Sequence, residues 1–362
     1  MRTRRELIKD LLLLAGTIAA GPSLASAPRY HAARYWSKMG NSILCELCPN
    51  GCVLPEGKTG NCRNRKNSGG KLVTLGYSQP CAVNVDPVEK KPLYHFLPGA
   101  RTFSLAIAGC NLRCKNCQNY ALSQKSPLET ENYNLPPEKV IQEARRLDCK
   151  IIAYTYSEPT VWIEYVLDTA ALARKAGLKN VLVTSGYINQ GPFSELAELI
   201  DAAHIDLKSF DNRIYQDLNA GKLQPVLDTL KLARKKGVWV EIINLVVPQW
   251  TDKPEMIRSM CRWIAKELGT EVPLHFSRFF PLYKLAHLYP TPSEVLLSAR
   301  KIALEEKLKF VYIGNVMEMD SNTYCLSCGE LLISRSGYVI NNRNLKSGSC
   351  GKCGTAIPGV WA

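Results

Sequence analysis

Several features that would settle the class of this chain at once are missing. There is no glycine-rich dinucleotide fingerprint, which argues against an open, doubly wound nucleotide-binding sheet. There is no arginine-rich arm, and no basic run is interleaved with aromatics. The longest basic clusters are "RKK" at 234–236 and "EKK" at 89–91. Lys and Arg outnumber Asp and Glu by 46 to 32, a formal charge of +14. A basic surface favours acidic partners, but without a reading motif we take the charge as a solvated face and expect no nucleic-acid partner. No apolar run reaches the roughly 20 residues of a membrane-spanning helix. Internal repeats and low-complexity tracts are absent too, which leaves an ordinary globular chain with a sizeable core.

The start, residues 1–27, has a basic front (Arg2, Arg4, Arg5, Lys9), an apolar run from Leu11 to Ala20 and then small residues. That order is the pattern of a targeting segment, and "TRRELIK" carries the paired arginines of a twin-arginine export signal. The expected location is therefore periplasmic or membrane-associated through this segment, with a cytoplasmic extension as the alternative.

Cysteine is the residue in excess. An exported protein would be expected to spend its cysteines on disulfides, yet eleven of the 14 fall into three tight groups. Disulfide frameworks spread their cysteines, whereas metal sites gather them. Cys149 and Cys261 are read as core residues, and Cys81 fits either a core or a metal role.

Between 102 and 316 the chain alternates apolar runs with helix-period segments. The runs are "TFSLAIAG", "IIAYTY", "NVLVTSG", "AHIDLK", "VWVEIINLVV", "PLHFSRF" and "KFVYIGNV". Near-continuous apolar strands alternating with amphipathic helices imply a parallel sheet buried on both faces. The fold class is α/β, and a partial TIM-like barrel of (β/α)6 type is expected. The domain reading is a signal segment (1–27), a Cys-rich region (28–100), the barrel (101–320) and a zinc-ribbon-like end (321–362). The two Cys-rich ends have little periodic pattern, so neither is expected to bury much apolar surface, and metal would supply the missing folding energy.

The first group, "CNLRCKNCQNY" at 110–120, follows the first barrel strand at once. Cys110, Cys114 and Cys117 therefore sit on the face where barrels place their chemistry. A structural zinc wants four protein ligands, and no nearby His or fourth Cys supplies one. An iron–sulfur cube held by three thiolates keeps one iron open to a further ligand.

This C-x3-C-x2-C loop resembles the radical S-adenosylmethionine (SAM) superfamily. "DPVEKKPLYHFLPG", "AYTYSEPTVWIEY", "HFSRFFPLYKL", "YIGNV" and "CGTAIPGVW" further resemble its AmmeMemoRadiSam branch, related to pyruvate formate-lyase activating enzyme. The likeness covers residues 41 to 361. It implies a [4Fe–4S] cluster on Cys110, Cys114 and Cys117. It implies reductive cleavage of SAM to a 5′-deoxyadenosyl radical, which abstracts hydrogen from a substrate that no residue pattern names. It also implies an electron donor of flavodoxin or ferredoxin type, and Memo-type partner proteins.

By the same resemblance, Glu158 and Ser157 in "YSEP" would hold the methionyl ammonium. A carboxylate capping a helix start is the alternative for Glu158. Asp206 and Lys208 would approach SAM, or form a structural pair. Thr184 and Ser185 would reach the ribose, and Asn119 and Tyr120 the adenine. Two positions depart from the family pattern. Asn116 stands where an aromatic is common, and Tyr156-Ser157 where relatives have Gly-Gly.

The last group, Cys325, Cys328, Cys350 and Cys353, has the two C-x2-C knuckles of a zinc ribbon, with a rubredoxin-like iron site as the alternative. Cys45, Cys48, Cys52 and Cys62 at the other end fit zinc or an auxiliary iron–sulfur cluster. Besides SAM cleavage, two further functions match the sequence: a glycyl-radical activase acting on a protein partner, and a non-catalytic iron–sulfur electron-transfer protein.

Overall fold

A computed structural model describes residues 30–316 and 319–362. The export-type segment read over 1–27 lies outside them. Among the described residues, no helix is long and apolar enough to cross a membrane.

Eight strands form the main sheet: β1 (Ala82–Pro87), β2 (Arg101–Ala106), β3 (Ile151–Tyr154), β4 (Lys179–Thr184), β5 (Ala202–Asp206), β6 (Trp239–Val246), β7 (Leu274–Arg278) and β8 (Val311–Gly314). They lie side by side in chain order, with β1 and β8 at the two edges. From β2 to β8 all neighbours are parallel, and β1 runs antiparallel to β2. All seven apolar runs of the sequence are strands, and all four residues of β3 are buried, as a sheet covered on both faces requires. β1 comes from the segment read as Cys-rich. Its residues alternate weakly and stay mostly half-exposed, which suits an edge strand.

Helices link successive strands of the parallel part, among them Pro137–Arg146 before β3, Ile163–Lys175 before β4 and Leu223–Lys235 before β6. Pro137 and Pro254 open their helices at positions where no N–H is missed. The helix Asn212–Asn219 was not read from the sequence. Asp211 caps it by accepting from the backbone N–H groups of Arg213 and Ile214.

The ends differ from expectation in one respect. The N-terminal region folds as two small three-stranded sheets, yet Ile43, Leu47, Leu54 and Leu72 join the same apolar cluster as the strands of the main sheet. A buried ion pair, Arg65 to Glu164 at 2.9 Å, ties this region to the helix Ile163–Lys175. The C-terminal segment builds its own small cluster from Leu332, Ile333, Leu345 and Ile357 over Phe310 and Tyr312. His95 fastens it, with ring nitrogens 2.7 Å from the carbonyl of Pro358 and 2.6 Å from the Tyr312 hydroxyl.

Candidate metal centre

β2 ends at Ala106 and the chain reaches Gly109 with φ +111°. A Cβ on Gly109 would stand 2.4 Å from the carbonyl oxygen of Cys62, so only glycine fits. Cys110 follows. The loop is then held by the end of the helix Asn212–Asn219. Its N–H groups at Arg113 and Lys115 donate to the carbonyls of Asn219 and Leu218, each at 2.8 Å, satisfying acceptors that a helix C-terminus leaves free.

Each thiol of the loop has a polar neighbour. The backbone N–H of Leu112 points at Cys110 Sγ at 3.4 Å, and the Asn219 amide donates to Cys114 Sγ at 3.2 Å. Ser123 Oγ lies 3.1 Å from Cys117 Sγ. Burial pushes the Cys110 thiol well up, helped by the charge of Glu158 and the neighbouring thiols. Burial also raises Cys114, against the pull of the Lys208 ammonium.

Spacing separates the cysteine groups. Among the described residues, only Cys325, Cys328, Cys350 and Cys353 bring three or more ligand atoms within 4.8 Å of one another. Cys325 and Cys353 sulfurs are 3.5 Å apart, and those of Cys328 and Cys350 3.7 Å. Four thiolates at about 2.3 Å from one tetrahedral ion would be separated by about 3.8 Å. That quartet is therefore sized for a single ion. The thiols of Cys110, Cys114 and Cys117 do not all lie within 4.8 Å of one another, and a cube whose irons each take a different thiolate does not need them to. Three soft ligands on one short loop, each with a hydrogen-bond donor beside it, fit an iron–sulfur cluster.

Three of the remaining candidates converge. The buried Glu158 carboxylate accepts from Thr184 Oγ1 at 2.6 Å and from the Ser185 hydroxyl and N–H at 2.6 and 2.9 Å. It also caps the turn Pro159–Trp162, accepting from the Thr160 N–H and hydroxyl. Ser157 is close by, its hydroxyl donating to the Ile107 carbonyl at 2.6 Å. The ends of β2, β3 and β4 are thus stitched together beside Cys110.

Asp206 and Lys208 pair at 2.8 Å, and the other Asp206 oxygen meets His204 Nε2 at 3.2 Å. Burial alone would raise the carboxyl, yet Lys208 and His204 hold it well below its usual range. Burial would likewise lower Lys208, but Asp206 and the Cys114 sulfur hold it above the ordinary lysine value. On the rim, the exposed Tyr120 ring stacks on Tyr283 at 4.7 Å, and Asn119 donates to the Tyr156 carbonyl at 2.8 Å.

The Tyr156 departure has a structural account. Tyr156 adopts φ +63°, a left-handed conformation that costs a non-glycine residue about 1–2 kcal/mol. Its hydroxyl hydrogen-bonds Asp86, and the Lys91 ammonium sits 4.5 Å over its ring. Asp86 and Lys91 of the motif "DPVEKK" therefore anchor the turn at Tyr156.

Sequence reasoning missed Asn219, Ser123, His204 and the Asp86–Lys91–Tyr156 group. Asn219 lies more than 100 residues from Cys114 and belongs to no motif. A signal existed in Gly221, where a Cβ would come within 2.6 Å of Leu112. Beside Lys115 the rim opens into a cavity of about 460 Å³ lined by Lys115, Gln249, Trp250, Lys284, Leu285 and His287.

The N-terminal quartet is packed onto this site. Burial pushes the thiol of Cys48 up to about 12 and that of Cys62 to about 11, and Cys52 is raised as well.

Residues 105–261 match the family model of the radical SAM superfamily. The chain is 44% identical over 331 residues to "Uncharacterized protein MJ0808" of Methanocaldococcus jannaschii, covering 90% of this chain and 98% of that protein. It is 27% identical over 172 residues to the pyruvate formate-lyase-activating enzyme of Clostridium pasteurianum, covering 46% of this chain and 70% of that enzyme. Among solved structures it is similar to a domain of the pyruvate-formate lyase-activating enzyme from Bacteroides vulgatus, at 15% identity and a TM-score of 0.41, covering 45% of this chain and 98% of that one. With its cysteine loop at the end of β2, residues 105–261 form a radical SAM domain.

Proposed function

We propose that the chain reductively cleaves SAM at a [4Fe–4S] cluster held by Cys110, Cys114 and Cys117, and that hydrogen abstraction from a substrate follows. The observation that carries this reading is the loop at the end of β2 that sets Cys110, Cys114 and Cys117 beside two polar groups, Glu158–Thr184–Ser185 and Asp206–Lys208. When bound, the cluster and SAM supply one electron and a 5′-deoxyadenosyl radical. The protein's part is positioning. Glu158 gives its lone pairs to Thr160, Thr184 and Ser185, so it sets the shape of the SAM pocket through them. Asp206 and Lys208 present a fixed pair of opposite charges suited to the zwitterionic methionyl group. Tyr120 offers a ring face to the adenine, and Asn119 holds the Tyr156–Ser157 turn beside it.

We further infer membership of the AmmeMemoRadiSam branch, with Memo-type partners and an electron donor of flavodoxin or ferredoxin type. Zinc is the ion we assign to the C-terminal quartet. Periplasmic or membrane-associated placement is proposed from residues 1–27, with the cytoplasm as the alternative. The activating-enzyme relatives favour a second reading, a glycyl-radical activase.

Anaerobically reconstituted, reduced protein is expected to release 5′-deoxyadenosine from SAM, and Cys114→Ala to lower the yield to background. A fully loaded cluster that leaves SAM intact would overturn the proposal and favour simple electron transfer.

A further inference from the structure

We propose that Cys45, Cys48, Cys52 and Cys62 hold a second iron–sulfur cluster, which relays single electrons to the cluster at Cys110, Cys114 and Cys117. The relay's destination rests on the radical SAM reading; the second cluster itself does not.

The first argument is size. The C-terminal quartet is closed to single-ion dimensions, whereas no three sulfurs of the N-terminal quartet lie within 4.8 Å of one another. One zinc cannot be reached by all four at about 2.3 Å in that arrangement, but a cluster spreads its thiolates over separate irons.

The second argument is unpaired donors. Asn64 is fully buried, and its Oδ1 accepts from Thr74 Oγ1 and from the N–H groups of Leu75 and Gly76. That fixes the amide's orientation and leaves Nδ2 with no partner among the described residues. Arg63 Nη1 and Arg113 Nη1 are also buried and without a partner among the described residues. An orphaned buried donor is costly to leave without an acceptor. Asn64 stands at the seam with Gly109, where a bridging sulfide of an anionic cluster would accept from it.

The third argument is contact. The Cys62 carbonyl leans on Gly109, directly before Cys110, and Asn64 borders the same seam. Asn50 donates to the Asn111 carbonyl at 2.8 Å, and Arg113 to the Asn61 carbonyl at 3.0 Å. Cys45, Cys48 and Cys62 are buried while Cys52 is half-exposed, so the quartet runs from the surface to the seam. A one-electron donor protein of flavodoxin or ferredoxin class reduces the outer cluster by one electron. That cluster is reoxidised as the inner one is reduced, with no net change in the relay.

The test uses the full-length protein, reconstituted with iron and sulfide. Cys110→Ala/Cys114→Ala/Cys117→Ala is expected to keep about two to four irons with matching sulfide. On reduction it should give an electron paramagnetic resonance signal that SAM does not alter. Cys45→Ser/Cys62→Ser is expected to keep a signal that SAM does alter, with reduction by flavodoxin at least tenfold slower and reduction by dithionite unchanged. Zinc without iron in the triple variant would overturn the second cluster, and equal flavodoxin rates would overturn the relay. Should either variant fail to fold, elemental analysis of iron and zinc in the reconstituted wild-type protein decides. About four irons with two zincs sinks the proposal, and about six or eight irons supports it. A failure of the radical SAM reading would show separately, as a triplet signal indifferent to SAM.

Discussion

The two cysteine quartets use the same four ligands but stand in opposite relations to the rest of the molecule. The C-terminal one is closed tightly, has Cys328 and Cys353 exposed, and belongs to a small apolar cluster of its own. The N-terminal one is spread wider and mostly buried, and it shares the main core. A quartet that only staples a small fold needs nothing beyond its own knuckles. One that adjoins a reaction centre is expected to be fused to it, as this one is.

Breaking that fusion is expected to have the largest effect. Arg65 and Glu164 are 1% and 3% exposed in their side chains. Glu164→Gln would leave the guanidinium buried without its counter-charge, at a cost of about 3–5 kcal/mol. The expected result in chemical denaturation is a loss of that size from the main transition. A change below about 1 kcal/mol would mean that the N-terminal region is docked weakly and the contrast is overdrawn.

Leu332→Ala tests the other side. Leu332 is fully buried in the C-terminal cluster, and its truncation is expected to cost about 2–5 kcal/mol. The loss should fall on the C-terminal segment alone, seen as faster hydrogen exchange over 323–357 with the sheet unchanged. Uniform destabilisation would show one cooperative unit in place of two.

The smallest effect is expected from pH. Burial lowers His95 to about 4, partly offset by Glu241, so the ring stays neutral where an unfolded chain would take up a proton near 6.5. The unfolded state thus binds the extra proton first as pH falls. The contribution of neutral His95 is complete above about 6.5 and is lost progressively toward 4. Because His95 meets Pro358 and Tyr312, the C-terminal attachment should loosen in that window. His95→Gln should flatten the dependence, measured as protease susceptibility of the C-terminal segment against pH.

What could be read from the sequence follows from how local each signal is. The seven parallel strands announced themselves because burial on both faces leaves runs such as "IIAY" with no polar interruption. The cysteine loop and the two knuckles were visible because their ligands are neighbours in the chain. The edge strand Ala82–Pro87 escaped notice because one-sided burial weakens its pattern. The gathering of Thr184 and Ser185 on Glu158 depends on which strands become neighbours, and spacing does not carry that. Nor does any motif join Arg65 to Glu164 or Asn219 to Cys114. The wide and narrow quartets have nearly the same knuckle spacing at their start, and only the folded distances tell them apart.

The glycine at 109 carries one more consequence. Its hydrogen atom is all that separates the start of the cysteine loop from a peptide contributed almost 50 residues earlier. The stretch that bears the family's motif, 105–261, is therefore smaller than the unit able to shape it. Excising that stretch for study or transplantation would strip away a wall of the centre, so any minimal fragment has to begin upstream of Cys45.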